Sequence, residues 1–251
     1  MTITHQDELE GLQRTGRIVA DTLQAMARAM EPGMTTRELD GIGRAMLEAA
    51  GAQPAPELDY GFPAATCISV GEEIAHGIPG DRVLRRGDLV NIDVSAVKDG
   101  FYADTVASFP LAQVRPELLR LCRDGRQAMQ TGIAEVRPGR PLAAIGNAIG
   151  RFAARRGYSL IRNLASHGVG RALHEYPEDI ATWPNRDRRQ IHLGMVLTVE
   201  PFLSLGAEFA RESRDGWTLY AQPRALAVQY EHTVVATERG AMVVTRPSSA
   251  G

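Results

Sequence analysis

Acidic residues on both sides of a predicted turn are the first candidates for chemistry. In residues 89–97, apolar side chains alternate with polar ones that include Asp93 and Ser95, which is the pattern of a half-buried strand. Asp99-Gly100 follows, and Asp-Gly is a strong hairpin signal. If these two residues form the loop, Ser95 pairs with Asp104, and Asp93 lies on the diagonal of the same face. Two carboxylates would then converge on the polar side of the hairpin.

The hairpin by itself leaves the role of this aspartate pair open. Converging carboxylates repel one another unless one is protonated or a cation lies between them. Two solvent-facing aspartates fit the same pattern, and a three-residue loop without a bulge would place them on opposite faces. The choice between these interpretations depends on the rest of the chain.

The second half of the chain supplies an imidazole and two further carboxylates. His167 precedes a glycine-rich stretch, Glu200 ends an apolar run, and Glu231 lies among apolar neighbours. A charged side chain in such a run is costly to bury without a partner. Each residue alone also has an ordinary explanation, as a turn histidine or a strand-end charge. With the two aspartates, however, they form a mostly oxygen ligand set that could hold two divalent ions about 3.5–4 Å apart for hydrolysis. Such a set suits Mn, Fe, Co or Zn.

Composition excludes several classes of protein. The chain has 251 residues, of which 44% are apolar and 23% charged, as in an ordinary globular protein rather than a disordered or membrane chain. Its net charge of -2, without a basic block, argues against nucleic acid or a membrane surface as the main partner. We find neither a signal peptide nor an apolar run of about 18 residues. Two cysteines are too few for a disulfide framework. A cytoplasmic protein with small or peptidic substrates is expected.

The same order of predicted helices and strands occurs twice along the chain. The segments 31–34 and 137–140 each place Pro-Gly between two stretches of helical period, which indicates an internal duplication. After each helix pair, runs rich in Val, Ile and Thr predict strands at residues 66–70, 89–97, 101–109, 195–200 and 225–236. This order favours an α+β fold, with a curved antiparallel sheet covered by helices on one face and two halves related by a pseudo-twofold. We expect a single domain over residues 1–251, with halves at about 10–115 and 116–246.

The settings of the five candidate ligands resemble the metal-binding motifs of the type I methionine aminopeptidases, in their short bacterial form. These enzymes are members of the pita-bread, or M24, family of peptidases. The resemblance covers nearly the whole chain. It is carried by Gly61-Phe62-Pro63, Cys67-Ile68-Ser69-Val70, His76-Gly77-Ile78-Pro79, Asn91-Ile92-Asp93-Val94, Asp104-Thr105, His167-Gly168-Val169-Gly170, His174-Glu175, Val199-Glu200-Pro201 and Glu231-His232-Thr233.

The resemblance implies a pita-bread fold and a hydrolase that removes the initiator methionine from nascent proteins when the second residue is small. Two divalent metal ions (Co, Mn, Fe or Zn) would be held by Asp93, Asp104, His167, Glu200 and Glu231, with Asp104 and Glu231 bridging. Glu200 would also accept the proton of the attacking water, and His76 and His174 would contact the scissile amide and the developing oxyanion. Phe62, Cys67 and Trp217 resemble walls of the methionine pocket.

Several positions depart from the pattern of these enzymes. Gly71 and Ala227-Val228 stand at positions that serve a structural monovalent-cation site, so we do not expect this chain to keep that site. Asp59, Leu173 and Tyr176 differ near the substrate pocket, which predicts a reshaped preference, as in a secondary copy of the enzyme.

Two alternatives share the pita-bread fold. Xaa-Pro peptidases normally carry an additional N-terminal domain, and only about 60 to 65 residues precede the catalytic motifs here. A non-catalytic peptide-binding module predicts eroded metal ligands, whereas all five are present. The expected partners are the N-termini of peptides and nascent proteins, and a monomer is expected. Ribosome association stays open, because the short N-terminus has no ligand-rich extension.

Overall fold

Helix pairs precede groups of strands in both halves of the chain. The computed structural model describes residues 1–248, so the last three residues of the predicted domain lie outside the described part. The helices are α1 (Gln6–Ala29), α2 (Thr36–Ala49), α3 (Ala55–Tyr60), α4 (Pro116–Ile133) and α5 (Ala143–Arg156). The strands are β1 (Gln53–Pro54), β2 (Cys67–Val70), β3 (Glu73–Ala75), β4 (Leu89–Lys98), β5 (Phe101–Pro110), β6 (Ser159–Leu160), β7 (Ser166–Gly168), β8 (Glu175–Ile180), β9 (Val196–Val199), β10 (Phe202–Ser204), β11 (Phe209–Glu212), β12 (Leu219–Gln222), β13 (Ala227–Gln229), β14 (His232–Thr237) and β15 (Gly240–Val243).

Local sequence explains where the helices begin and end. At the start of α2, the Thr35 hydroxyl accepts from the Glu38 N–H, and the Glu38 carboxylate accepts from the Thr35 N–H. Pro116 opens α4, where its missing N–H has no intrahelical role. Gly157 ends α5 with a φ of 76°, which is a left-handed cap. The two predicted helix pairs are confirmed.

One helix, α3, was missed by the sequence patterns. It has six residues and ends at Gly61, whose φ is 68°. A segment of this length is too short to show a 3.6-residue period, so periodicity could not reveal it. Its C-terminal end lies at the candidate site described below.

Every strand pair of the described chain is antiparallel. Hydrogen bonds order the strands as β1-β4-β2, with β5 beside β4, and as β15-β14-β9-β7-β8. Two smaller groups are β13-β10-β6 and β11-β12-β3. The larger groups meet at β5, where Ala107 bridges to Tyr230 and the Glu231 N–H donates to the Val106 carbonyl at 2.9 Å. The α+β prediction is confirmed.

One predicted strand is wrong as a continuous element. The run at residues 225–236 is divided into β13 and β14, and Tyr230 and Glu231 lie between them. The reason is the contact with β5 described above, because the chain leaves its partner β10 to pair with β5 and then continues beside β9. This break in the strand sets the position of Glu231.

Apolar side chains pack the helices against one side of the strands. Val90, Ile92, Val94 and Ala96 of β4 are buried against α1 and α2. The alternate residues Asp93 and Ser95 line a cleft on the opposite face. A second core joins α4 and α5 to β9 and β14. The helices therefore support the strands from behind and leave the polar face free. Among the described residues, no helix is long and apolar enough to cross a membrane.

Candidate metal centre

The β4–β5 hairpin brings two aspartates together. Asp99 and Gly100 form its loop, with φ angles of 51° and 76°, as a two-residue type I′ turn requires. Ser95 pairs with Asp104, as predicted. The Asp93 and Asp104 carboxyl groups lie within hydrogen-bonding reach of each other. The two-residue loop thus decides the question that the sequence pattern left open, and both carboxylates face the cleft.

His167 and Glu200 enter the cleft from neighbouring strands, β7 and the end of β9. The His167 Nδ1 lies 3.0 Å from the carbonyl oxygen of Gly168, and its Nε2 lies 3.4 Å from Oε1 of Glu200. A ring that donates from Nδ1 to a backbone carbonyl keeps the Nε2 lone pair free for a cation. Gly168 allows this arrangement, because a Cβ there would lie 2.6 Å from the Tyr176 carbonyl oxygen.

Glu231 is held at the break between β13 and β14. Its backbone carbonyl accepts from the Thr105 hydroxyl at 2.9 Å. On the neighbouring strand, the Thr233 hydroxyl accepts from the Asp104 N–H at 3.0 Å and donates to the Asp104 carbonyl at 2.8 Å. These bonds tie the backbones of Glu231 and Asp104 together, although the two residues are far apart in the sequence.

These side chains form a cluster of potential ligand atoms. One ligand atom each from Asp104, His167 and Glu231 lies within 4.8 Å of the other two. Asp93 and Glu200 line the same cleft. All five residues predicted as ligands are therefore brought to one place.

Two buried carboxylate oxygens in the cluster have no hydrogen-bond partner: Oδ1 of Asp104 and Oε1 of Glu231. A buried acceptor without a donor costs free energy, and more so if it is charged. A divalent cation between these atoms would satisfy both oxygens, since oxygen and imidazole donors suit such ions. The residues present therefore fit a metal site.

Burial and neighbouring charges shift the pKa values of the side chains in the cluster. Enclosure by the protein raises the pKa of Asp93 to about 7 and the pKa of Glu200 to about 8, and the Asp93 charge adds to the effect on Glu200. Burial and neighbouring carboxylates raise the pKa of Asp104 and of Glu231 well above the ordinary value. Burial lowers the pKa of His167 to about 3, so this imidazole is neutral at pH 7. A bound cation would reverse the shifts of the carboxylates.

Two histidines line the cleft beside the cluster. The ring of His174 lies 4.0 Å from that of His167, measured between centroids. His76 follows β3 in a left-handed conformation, with φ of 52°, and its side chain is accessible to solvent. The next residue, Gly77, donates its N–H to the Ser69 hydroxyl at 3.0 Å. Both imidazoles are therefore presented to a ligand in the cleft.

Apolar side chains line part of the cleft. Phe62 and Trp217 pack edge to face, with ring centroids 5.2 Å apart, and Cys67 is buried beside Phe62. Burial raises the pKa of the Cys67 thiol well above its ordinary value, so this thiol is not a reactive thiolate. The cavity volume of about 360 Å³ suits a small-molecule or side-chain ligand.

Three residues that support the cluster were missed at the level of sequence. The Thr198 hydroxyl donates to Oε1 of Glu200 at 2.7 Å, and the Gln229 amide donates to Oε2 at 3.3 Å. The Tyr60 hydroxyl lies 2.6 Å from Nδ1 of His174. Thr198 alternates with Glu200, and Tyr60 adjoins the Gly-Phe-Pro motif, so their positions were a weak signal. Their partners depend on tertiary contacts, which no local pattern encodes.

The positions that depart from the aminopeptidase pattern lie in different surroundings. Leu173 lines the cleft, and its N–H lies 3.5 Å from Oδ2 of Asp59. Tyr176 is 66% exposed and does not line the cleft. Gly71 has a φ of 74°, and Ala227-Val228 begin β13. The altered substrate preference and the loss of the monovalent-cation site stay predictions.

Known proteins with similar sequences and structures are peptidases. Residues 10–238 match the metallopeptidase family M24. Methionine aminopeptidase 2 of Bacillus subtilis is 43% identical over 248 residues, which cover 98% of this chain and 100% of that protein. A methionine aminopeptidase structure from Rickettsia prowazekii superposes with a TM-score of 0.93 at 34% identity, covering 98% of this chain and 100% of that one. The enzyme structure from Thermotoga maritima gives 0.94 at 30% identity, with the same coverage.

These similarities extend over nearly the whole chain, so they concern the fold as well as the cluster. The pita-bread fold predicted from the sequence is confirmed by the two superpositions. The metallopeptidase match agrees with the two buried carboxylate oxygens of the cluster that have no hydrogen-bond partner among the described residues. The chain therefore belongs to metallopeptidase family M24.

Proposed function

We propose that this chain is a methionine aminopeptidase that removes the initiator methionine from nascent proteins whose second residue is small. The observation that carries the proposal is that the ligand cluster lines the same cleft as the apolar side chains of Phe62 and Trp217. The relatives named above, which bear the same activity in their names, support it. A cleft lined both by apolar side chains and by a polar cluster suits a substrate that has an apolar side chain beside its reacting bond.

Two divalent ions would be held by Asp93, Asp104, His167, Glu200 and Glu231. When bound, such a pair polarises a carbonyl and makes water a stronger nucleophile. Co, Mn, Fe and Zn are the candidates that this donor set allows. The unpartnered oxygens of Asp104 and Glu231 support their assignment as ligands, because each can accept a cation.

Glu200 is the group that would accept a proton from the attacking water. The Thr198 hydroxyl and the Gln229 amide each occupy one of its oxygens and so hold its orientation. His76 and His174 would donate hydrogen bonds to the scissile amide and to the oxygen on which negative charge develops. Their places along the cleft wall support these roles.

The methionine side chain would lie against Phe62, Cys67 and Trp217. A thioether packs well on aromatic edges, and the buried Cys67 adds a small apolar surface. We further propose a single catalytic domain with the two halves predicted from the sequence, and a cytoplasmic monomer that acts on peptide and nascent-protein N-termini. Ribosome association is an open part of this proposal.

The test is release of free methionine from Met-Ala-Ser and Met-Leu-Ser by metal-stripped protein, with Co, Mn, Fe or Zn added back. Cleavage that needs a metal, and that occurs with the first peptide but not the second, is expected. The comparison of the two peptides isolates the size of the second residue. Absence of cleavage with every metal would contradict the proposal and favour a peptide-binding role.

A further inference from the structure

The ring of His174 is held from outside the ligand cluster by a phenol. The Tyr60 hydroxyl lies 2.6 Å from Nδ1 of His174, and the two rings pack edge to face with centroids 5.5 Å apart. Tyr60 comes from the end of α3, whereas His174 lies just before β8. This contact therefore joins two distant parts of the chain at one wall of the cleft.

The direction of this hydrogen bond determines which nitrogen of His174 is available. Partial burial, and then the negative charge of Asp59, raise the pKa of Tyr60, so the phenol keeps its proton near neutral pH. A phenol hydroxyl can donate or accept, but donation to the basic lone pair of a neutral imidazole is the stronger arrangement, so we take Tyr60 as the donor. A neutral ring that accepts at Nδ1 carries its hydrogen on Nε2. His174 would then be a donor at Nε2, the nitrogen that Tyr60 leaves free.

The neighbouring residue Asp59 ties the same two parts of the chain together. Its Oδ1 accepts from the Tyr102 hydroxyl at 3.0 Å, and its Oδ2 lies 3.5 Å from the Leu173 N–H, which is a long hydrogen bond. Tyr102 belongs to β5, two residues before Asp104. Asp59 thus connects the end of α3 both to the hairpin that carries two ligands and to the residue before His174.

We propose that Asp59 and Tyr60 form a positioning clamp that fixes the orientation of His174 and its Nε2–H tautomer. Asp59 and Leu173 are both positions at which this chain departs from the usual aminopeptidase pattern, and they contact each other directly. The clamp thus includes Asp59, one of the positions that depart from this pattern. The inference rests on the proposed function, in which His174 donates a hydrogen bond to the scissile amide. Tyr60 and Asp59 act through His174 and need not touch the substrate.

The first test is the Tyr60→Phe variant, which removes the hydroxyl and keeps the ring. With zinc-loaded protein and Met-Ala-Ser, we expect kcat to fall about tenfold, the size of one lost hydrogen bond. KM should change less than about twofold, because the apolar contact of the ring remains. The matched control is Tyr176→Phe, which removes a hydroxyl from an exposed side chain outside the cleft and should leave both constants unchanged.

A spectroscopic measurement separates positioning from a general structural effect. Nitrogen-15 NMR of histidine-labelled, zinc-loaded protein reports which ring nitrogen carries the hydrogen, and a His174→Asn sample identifies the signal. We expect the Nε2–H pattern in the unmodified protein and a mixture of tautomers in Tyr60→Phe. An unchanged pattern together with an unchanged kcat would overturn the clamp.

Asp59→Ala tests the other half of the clamp, since this side chain is exposed and its removal leaves the core intact. We expect a smaller fall in kcat than for Tyr60→Phe, with broadened His174 signals; wild-type signals and rate would remove Asp59 from the clamp. His174→Ala separates a failure of the proposed function from a failure of the clamp. If that variant kept full activity, the proposed role of His174 would fail, whereas the tautomer measurement would still decide whether Tyr60 holds the ring.

Discussion

The side chains of the cluster are of ordinary types, and their surroundings change their pKa values. Glu200 is 8% exposed and Glu231 is 2% exposed, so neither carboxylate is stabilised by bulk water. Burial, and then the charges of the neighbouring carboxylates, raise their pKa values, and only a cation or protons can relieve the repulsion. The same surroundings keep the His167 imidazole neutral and therefore able to bind a metal. Burial of this kind is typical of a functional site rather than of a stabilising core.

Glu200→Gln should abolish most of the activity with the fold retained. The amide cannot accept a proton and is a weaker ligand, so we expect turnover to fall at least about a hundredfold. The Thr198 and Gln229 contacts can still hold a side chain of the same shape. Methionine release and circular dichroism are the measurements, with exposed Glu212→Gln as the control. Full activity of Glu200→Gln would contradict the assignment.

His76→Ala should separate transition-state stabilisation from metal binding. We expect turnover to fall about a hundredfold, as for the loss of one oxyanion donor, and metal content to stay nearly unchanged. Metal analysis by mass spectrometry and methionine release would be compared with exposed His192→Ala, which should behave as the unmodified protein. Loss of metal together with activity would mean that His76 has been placed wrongly.

Strands and turns, rather than the long helices, position the side chains of the cleft. His76 lies in the turn after β3, and Gly77 follows in close contact with β2. The Ile68 N–H donates to the Gly77 carbonyl at 2.9 Å. An added Cβ on Gly77 would lie 2.3 Å from the Ile68 carbonyl oxygen, which is backbone and cannot move aside without distorting β2. Glycine is therefore needed here for close approach of two backbones.

Gly77→Ala should displace the His76 turn and destabilise the protein. Overpacking of this kind costs about 2–3 kcal/mol in the free energy of unfolding, and turnover should fall because His76 moves. Urea unfolding measures the first effect and methionine release the second. The control is Gly80→Ala, where the nearest atom to an added Cβ is 4.0 Å away. Equal stability of the two variants would show that β2 adjusts without strain.

At the level of the whole molecule, the centre exists only because the two halves meet. Asp93 and Asp104 come from the first half, whereas His167, Glu200 and Glu231 come from the second. The meeting of β5 with residues 230–231 brings the two sets together. Folding must therefore gather four carboxyl groups in one buried place, and metal binding should favour the folded state by linkage.

Metal-free protein should lose stability as the pH rises from about 6.5 to 8. The Asp93 and Glu200 pKa values, about 7 and about 8 in the folded protein, lie above those of an unfolded chain, so the folded state holds more protons in this range. Stability is therefore lost as the pH passes through these values. His167 and His232 act below this range, because their folded pKa values are lowered to about 3 and about 4.

Thermal unfolding at several pH values, with and without zinc, measures this effect. Metal-loaded protein should be more stable and should show no loss between these pH values, because the ion takes the place of the protons. The same negative slope in both forms would show that the carboxylates do not bind the metal.

Local sequence is sufficient to predict the helix pairs, the β4–β5 hairpin and the alternation that puts Asp93 and Asp104 on a polar face. These features depend on contacts between neighbours along the chain, such as the Asp99-Gly100 turn and the Thr35 cap. The motifs also predict all five candidate ligands without any distance between the two halves.

How the five candidate ligands come together depends on tertiary contacts between the two halves. The break in the predicted strand 225–236 arises from pairing of Tyr230 with Ala107 on the other half, and this break sets the position of Glu231. The short helix α3 and the contact of Tyr60 with His174 likewise depend on segments far apart in sequence. Local periodicity carries no information about such pairs, because their energies come from packing and hydrogen bonds that form only when the whole chain has folded.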